Sequence, residues 1–253
     1  MTGPEESPCR ILVMASGFGS NFQALIDAIS AGQLPNSRII SLVTNRKNAH
    51  AIVRADKAGI PWDYFNLISS GFLRKGETDE QTVAQGRQQY DAALAARILS
   101  VDKERPELIV LAGWMHVFSV AFLEPLERAG VRIINLHPAL PGEFDGAMAI
   151  ERAFEELKAG RLMRTGIMAH YVIDEVDRGS PILVKEIEWK GEGLEELKRE
   201  LARDSVRGGG YGCVLPLSGS KPLILEHDQS GQRLCSQLRH NVDRTKQAKE
   251  AGE

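Results

Sequence analysis

An amide, an imidazole and a proline stand in the order Asn135-Leu136-His137-Pro138, at the end of a run that begins Arg132-Ile133-Ile134. On an extended chain, residues two apart share a face, so Asn135 and His137 point the same way. Pro138 disfavours helical dihedrals at His137 and keeps the chain extended up to the imidazole. The pair Ile133-Ile134 suits a strand covered on both faces. In open α/β sheets, the carboxyl ends of such strands are where ligands bind. The chemistry on offer is acyl transfer to an amine. The amide can donate to a developing oxyanion, and the imidazole exchanges protons near neutral pH. A carboxylate such as Asp177, in the loop Asp174-Glu175-Val176-Asp177-Arg178-Gly179-Ser180, would raise the imidazole pKa and orient the ring. No protein nucleophile is required, because a substrate amine attacks directly. The plainer alternatives are a polar strand end satisfied by loop backbone and a solvated acidic turn.

A second chemical feature is Ser16-Gly17-Phe18-Gly19-Ser20-Asn21-Phe22-Gln23, directly after the apolar run Arg10–Ala15. The glycines allow a tight turn and close backbone approach. Ser20 and Gln23 have capping-box spacing, which predicts Ser20 as N-cap of a helix over 21–31. Strand, turn and helix N-terminus together form an anion site suited to one phosphate of a nucleotide-like substrate. The alternative is a glycine turn used only for chain reversal. The dinucleotide fingerprint is absent: Phe22 replaces the third glycine, and the second strand ends Thr44-Asn45 without an acid. No Gly-Lys-Ser/Thr follows for a P-loop, and no cysteine or histidine spacing suits zinc.

These groups need a scaffold that aligns strand ends. Further apolar runs occur at Arg38–Val43 and Leu108–Ala112, with a possible short strand at Trp62–Asn66. Helices are predicted at 49–58, from Thr78 to about Ser100, at 119–129, Ala147–Ala159 and Leu194–Val206, several closed by glycine. Residues 67–77 and 139–146 read as loops. Gly166–Ile173 and a strand opening at Pro181 form a possible antiparallel addition. The alternation predicts an α/β fold: a mostly parallel twisted sheet with helices on both faces, Rossmann-like, plus an irregular C-terminal tail. Residues 1–8 read as a disordered N-terminus, 9–206 as one domain, and 207–253, after the joint Gly208-Gly209-Gly210, as a poorly structured or divergent tail. The segment Gly113–Phe118 after the fourth apolar run either faces a ligand or packs in the core. His116 is balanced between a solvated and a functional role.

Composition narrows the partners. The chain has 253 residues, 43% hydrophobic and 26% charged, with a net charge of −3 and a pI near 6.1. That gives no cationic face for nucleic acid and no apolar run near the ~20 residues that span a bilayer. The N-terminus lacks a signal or transit pattern. Three cysteines without ligand spacing fit a reducing, cytoplasmic setting.

Four segments together resemble the glycinamide ribonucleotide formyltransferases, within the folate-dependent formyltransferases, and are most similar to the fungal form. They are Ser16–Leu25, Leu111–Met115, Ile134–Gly142 and Asp174–Gly179. The resemblance covers roughly residues 9 to 205. It implies the formyltransferase fold and transfer of the formyl group of 10-formyltetrahydrofolate to the amine of glycinamide ribonucleotide, through a tetrahedral intermediate, in purine synthesis. By that resemblance Asn135 would bind the formyl oxygen and His137 would be general acid toward the leaving folate nitrogen. Asp177 would raise the His137 pKa and help move the amine's proton. Gly19, Ser20 and Asn21 would hold the phosphate. Arg87, Met115, His116, Val117, Phe118 and Asn135 would contact the folate. It implies no metal, no nucleic-acid or membrane partner, and a monomer or homodimer. The alternatives are a formyltetrahydrofolate hydrolase and a catalytically impaired folate- or nucleotide-binding homologue. Two departures stand out. Met148 occupies a position often held by histidine, and Ser205 stands about where the family has a substrate-contacting glutamate.

Overall fold

The computed structural model describes residues 7–100 and 104–207. The expectations for residues 1–8 and 207–253 therefore lie outside the described residues, apart from Ser7, Pro8 and Arg207. Among the described residues, seven strands and six helices alternate for most of the length: β1 (Cys9–Met14), α1 (Ser20–Ser30), β2 (Ser37–Thr44), α2 (His50–Ala58), β3 (Trp62–Tyr64), α3 (Glu80–Leu99), β4 (Leu108–Leu111), α4 (Val120–Arg128), β5 (Arg132–His137), α5 (Ala149–Lys158), β6 (Arg164–Tyr171), β7 (Pro181–Glu188) and α6 (Leu194–Arg207). The strands form one sheet in the order β3-β2-β1-β4-β5-β6-β7. Pairing is parallel from β3 through β5, and antiparallel between β5 and β6 and between β6 and β7.

Period-2 alternation in the apolar strands feeds two cores. Ile11 and Val13 of β1, Leu108 and Val110 of β4, and Ile134 and Leu136 of β5 pack on one face with Phe22 and Leu25 of α1 and Ala51 and Ala55 of α2. Leu12, Met14, Ile109, Leu111 and Ile133 pack on the other with Tyr90 and Leu94 of α3 and Phe122 and Leu126 of α4. Helices thus cover both faces, as the continuous apolar strands require. Asn135 and His137 follow Ile133 in the same alternation, which puts them on the α3–α4 face. A third cluster joins Ile167 of β6, Ile187 of β7, Leu157 of α5, and Leu197 and Leu201 of α6.

Three local expectations are corrected. Ser20 is not the N-cap of α1: Gly19 is, with φ 74° and no side-chain cap. The Gly19 carbonyl accepts the first helical bond from Gln23 N, so the helix starts one residue early. The capping box is absent because Gln23 Nε2 donates to Asp27 and its Oε1 accepts from Arg54. The third strand stops at Tyr64, and the Asn66 side chain instead caps the following turn, accepting from Ile68 N and Ser69 N. α3 starts two residues late, where Asp79 caps Thr82 N. No helix among the described residues is long and apolar enough to cross a membrane.

Candidate active site

β5 ends beside a cleft of about 480 Å³, ordinary for a small-molecule site. Its walls come from the Gly113–Phe118 segment after β4, the end of β5, the start of α5, and the loop after β6. The antiparallel turn of the sheet matters here. It sets Asn135 opposite His170 of β6, and the chain then returns over both through the β6–β7 loop that carries Asp177.

Asp177 is the hub. Its Oδ1 accepts from Asn135 Nδ2 at 2.9 Å and lies 3.3 Å from His170 Nε2. Its Oδ2 accepts from Gly146 N at 2.8 Å and lies 3.4 Å from His137 Nδ1. The residue has φ 55°, a left-handed conformation that aspartate tolerates better than most side chains. Burial raises the Asp177 carboxyl pKa. A hydrogen bond from His170 in its protonated form, the Gly146 N–H and the positive charge of the two imidazoles when protonated outweigh it and bring the pKa down to about 2. The group is therefore a carboxylate at every physiological pH. An ion pair from Arg178 to Asp145 ties this loop to the loop after β5.

His137 is 4% exposed. Its Nδ1 faces Asp177, while Nε2 is buried without a hydrogen-bond partner among the described residues. The expectation that Asp177 would raise the His137 pKa is half right. Burial lowers it, and His170 adds to that; Asp177, the nearby Glu143 backbone and Asp145 pull the other way and lose, so the net direction is down. At neutral pH the ring is uncharged.

Asn135, His137 and Asp177 are thus brought together as the sequence implied. The apolar segment divides by alternation. Met115 and Val117 are more than half exposed and line the cleft, whereas Phe118, which also borders it, is buried and stacked on Phe122 at 3.7 Å. His116 is not solvated. Its side chain is 8% exposed, with Nε2 2.7 Å from Asp91 and Nδ1 3.5 Å from exposed Arg87. Met148 sits at the cleft mouth, 64% exposed, as the left-handed N-cap of α5. Ser205 is buried within α6 and donates to the Leu201 carbonyl, so it faces no open site.

The glycine turn borders the same sheet edge but does not line this cleft. Ser16 Oγ accepts from Met115 N at 2.9 Å, and Ser16 N donates to the Gly113 carbonyl. These bonds fix the turn after β1 against the segment after β4. A Cβ on Gly19 would come within 2.9 Å of the Ala51 Cβ on α2, so only glycine fits. The first turn of α1 has no side-chain cap, which leaves its backbone donors open to an anion.

His170 was missed as a site residue. The available signal was a histidine inside the apolar strand Gly166–Ile173, seven residues before Asp177; its value depends on the strand register, which the sequence does not give. No cluster of metal-ligating side chains occurs among the described residues.

Comparison with known proteins adds a family. A model described as formyl transferase matches residues 9–206. The phosphoribosylglycinamide formyltransferase of Schizosaccharomyces pombe is 47% identical over 178 residues, covering 70% of this chain and 81% of the relative. The enzyme of that name from Saccharomyces cerevisiae is 40% identical over 184 residues, covering 71% and 82%. Among solved structures, glycinamide ribonucleotide transformylase 1 from Geobacillus kaustophilus superposes with a TM-score of 0.62 at 29% identity, covering 87% of this chain and 100% of that one.

Proposed function

The chain belongs to the formyl transferase family, and within it we propose that this protein moves the formyl group of 10-formyltetrahydrofolate to the amine of glycinamide ribonucleotide in purine synthesis. Relatives named for that acceptor reach 47% identity. We assign residues 9–206 as the catalytic domain, working in the cytoplasm as a monomer or homodimer on small molecules, without a metal. The observation that carries the reading is His137 Nε2: a buried nitrogen with no hydrogen-bond partner among the described residues, on the wall of a cleft, beside an ionised carboxylate and a primary amide.

The residues fit both substrates. Exposed Met115 and Val117 offer an apolar wall for a flat ring, with His116 and Phe118 shaping that segment from behind. Exposed Arg87, 3.5 Å from His116 Nδ1, stands next to it and would meet the folate's acidic end. The uncapped start of α1, at Gly19, Ser20 and Asn21, offers backbone donors for the phosphate.

Bound formyl-folate supplies an activated one-carbon unit, and attack by the amine shifts negative charge onto the formyl oxygen, giving a tetrahedral adduct. Asn135 donates its amide hydrogen to that oxygen. His137 enters neutral, with Nδ1–H toward Asp177 and the Nε2 lone pair toward the cleft. Nε2 takes the proton the amine sheds, then returns it as general acid to the departing folate nitrogen. The Asp177 carboxylate stabilises the imidazolium in between and fixes its tautomer.

The test is an absorbance assay of folate release, run with and without glycinamide ribonucleotide. Turnover that needs the ribonucleotide is expected. Formate release without any amine, or no turnover by well-folded protein, would overturn the reading.

A further inference from the structure

The Asn135 amide nitrogen faces two acceptors inside the protein, which conflicts with its proposed task. His170 Nδ1 lies 2.9 Å from the Tyr171 carbonyl, which can only accept, so Nδ1 carries a hydrogen. In the neutral ring, Nε2 is then a bare acceptor. Asn135 Nδ2 lies 3.2 Å from it and 2.9 Å from Asp177 Oδ1. An amide nitrogen has two hydrogens, and both are consumed inside the protein. With His170 neutral, Asn135 has nothing left to donate to a formyl oxygen.

One proton resolves this. When Nε2 is protonated it becomes a donor, and its own acceptor is Asp177 Oδ1 at 3.3 Å. The Asn135 hydrogen that pointed at Nε2 loses its acceptor and becomes available to substrate. We propose that His170 is a positioning residue for formyl transfer: its protonation releases the Asn135 amide to serve the formyl oxygen. The inference rests on the formyl-transfer reading above. The proton comes from solvent at equilibrium, water to imidazole, with no substrate bond made or broken; the ring is 2% exposed but lines the cleft.

The surroundings hold this arrangement. The ionisable groups facing His170 are His137 from β5 and Asp177 from the β6–β7 loop, while β7 pairs there through Pro181. Gly179 closes the loop over the ring. A Cβ at Gly179 would fall on the Tyr171 carbonyl oxygen and 3.3 Å from His170 Nδ1. Glycine at this position therefore protects the one bond that fixes the His170 tautomer.

The test uses two readouts. Long-range ¹H–¹⁵N correlation on the unsubstituted protein reports the His170 tautomer and titration directly, and needs no activity. The expected result is an Nδ1–H tautomer when neutral, with the Asn135 side-chain NH₂ resonances moving along the His170 titration. An Nε2–H tautomer, or Asn135 resonances indifferent to that titration, overturns the proposal even if the enzyme is active. The second readout is the pH profile of kcat for wild type and His170→Asn. Loss of the donor on Asn135 should lower kcat by about tenfold to a hundredfold, with KM for formyl-folate nearly constant, and remove the His170 ionisation from the profile. Unchanged kcat and profile would overturn the proposal. If wild type shows no transfer at all, the formyl-transfer reading fails, while the tautomer result still stands on its own.

Discussion

Two histidine–carboxylate pairs lie along the same sheet edge and behave as opposites. His116 Nε2 is 2.7 Å from Asp91, whose other oxygen accepts from both Ser119 N and Ser119 Oγ at 2.7 Å. Tyr90 and Phe118 pack edge-on against the His116 ring. In this pair the carboxylate is saturated, and it pins the segment after β4 to α3. His137 and Asp177 sit 3.4 Å apart, a looser contact, and one His137 nitrogen has no hydrogen-bond partner among the described residues of a buried wall. A buried polar atom without a partner costs about 1–3 kcal/mol, so a folded chain retains it only where something else supports the site. Both histidines pair with an acid, so it is the free nitrogen of His137, and not the pairing, that supports assigning the proposed chemistry to His137 and a structural role to His116.

The largest effect is expected at His137. His137→Ala should lower kcat by about 10²–10⁴-fold, while the urea midpoint holds or rises, because an unsatisfied group has been removed. Asp177→Asn, which keeps the tolerance for left-handed backbone, should lower kcat by a smaller factor, on the order of tenfold to a hundredfold, since Asp177 acts through its neighbours. Asp91→Ala should do the reverse of His137→Ala. It strands the His116 and Ser119 donors and should cost about 1–3 kcal/mol of stability, read from denaturant unfolding, with kcat changed less than KM for the folate. Should Asp91→Ala abolish kcat at full stability, the two pairs would not differ in kind.

Acid unfolding sharpens the same contrast. Both site shifts are downward, so the folded protein binds fewer protons than the unfolded chain. The His137 contribution is complete above its ordinary value of 6.5 and is lost as pH falls through its lower folded value. The Asp177 contribution is complete above 3.8 and fades as pH drops toward about 2. Its size is about 2 kcal/mol, from 1.36 kcal/mol per pKa unit. Wild type and Asp177→Asn should therefore converge in stability between pH 4 and pH 2. A constant gap across that range would show that Asp177 is not held ionised by its neighbours. The smallest effect expected is at Met148: Met148→Asn, better suited to φ 56°, should raise stability by about 0.5–1 kcal/mol by thermal unfolding.

The parallel sheet was legible because Ile11–Met14, Leu108–Leu111 and Ile133–Ile134 are apolar without a break, and only a doubly covered strand needs that. Asn135 and His137 were legible from their spacing. What escaped was whatever depended on register between distant segments. His170 gains meaning only from lying opposite Asn135, and the sign of the His137 shift depends on burial that no local pattern reports. His116 was ambiguous for the same reason: its partner Asp91 is 25 residues away, on another element. At the start of α1 the difference is local: the Gly19 carbonyl, and not the Ser20 side chain, opens the helix.

Of the four non-glycine residues with positive φ among the described residues, three (Phe144, Met148 and Asp177) border the cleft or the loop beneath it. Each holds a backbone conformation costing roughly 1–2 kcal/mol relative to the right-handed alternative. The rim is thus a tensioned frame set in a relaxed sheet, and its segments have the most to gain from coming loose. A protease offered the native protein should nick 142–148 or 174–180 before any strand, and a ligand bridging α5 to the β6–β7 loop should shield both segments from the same cut.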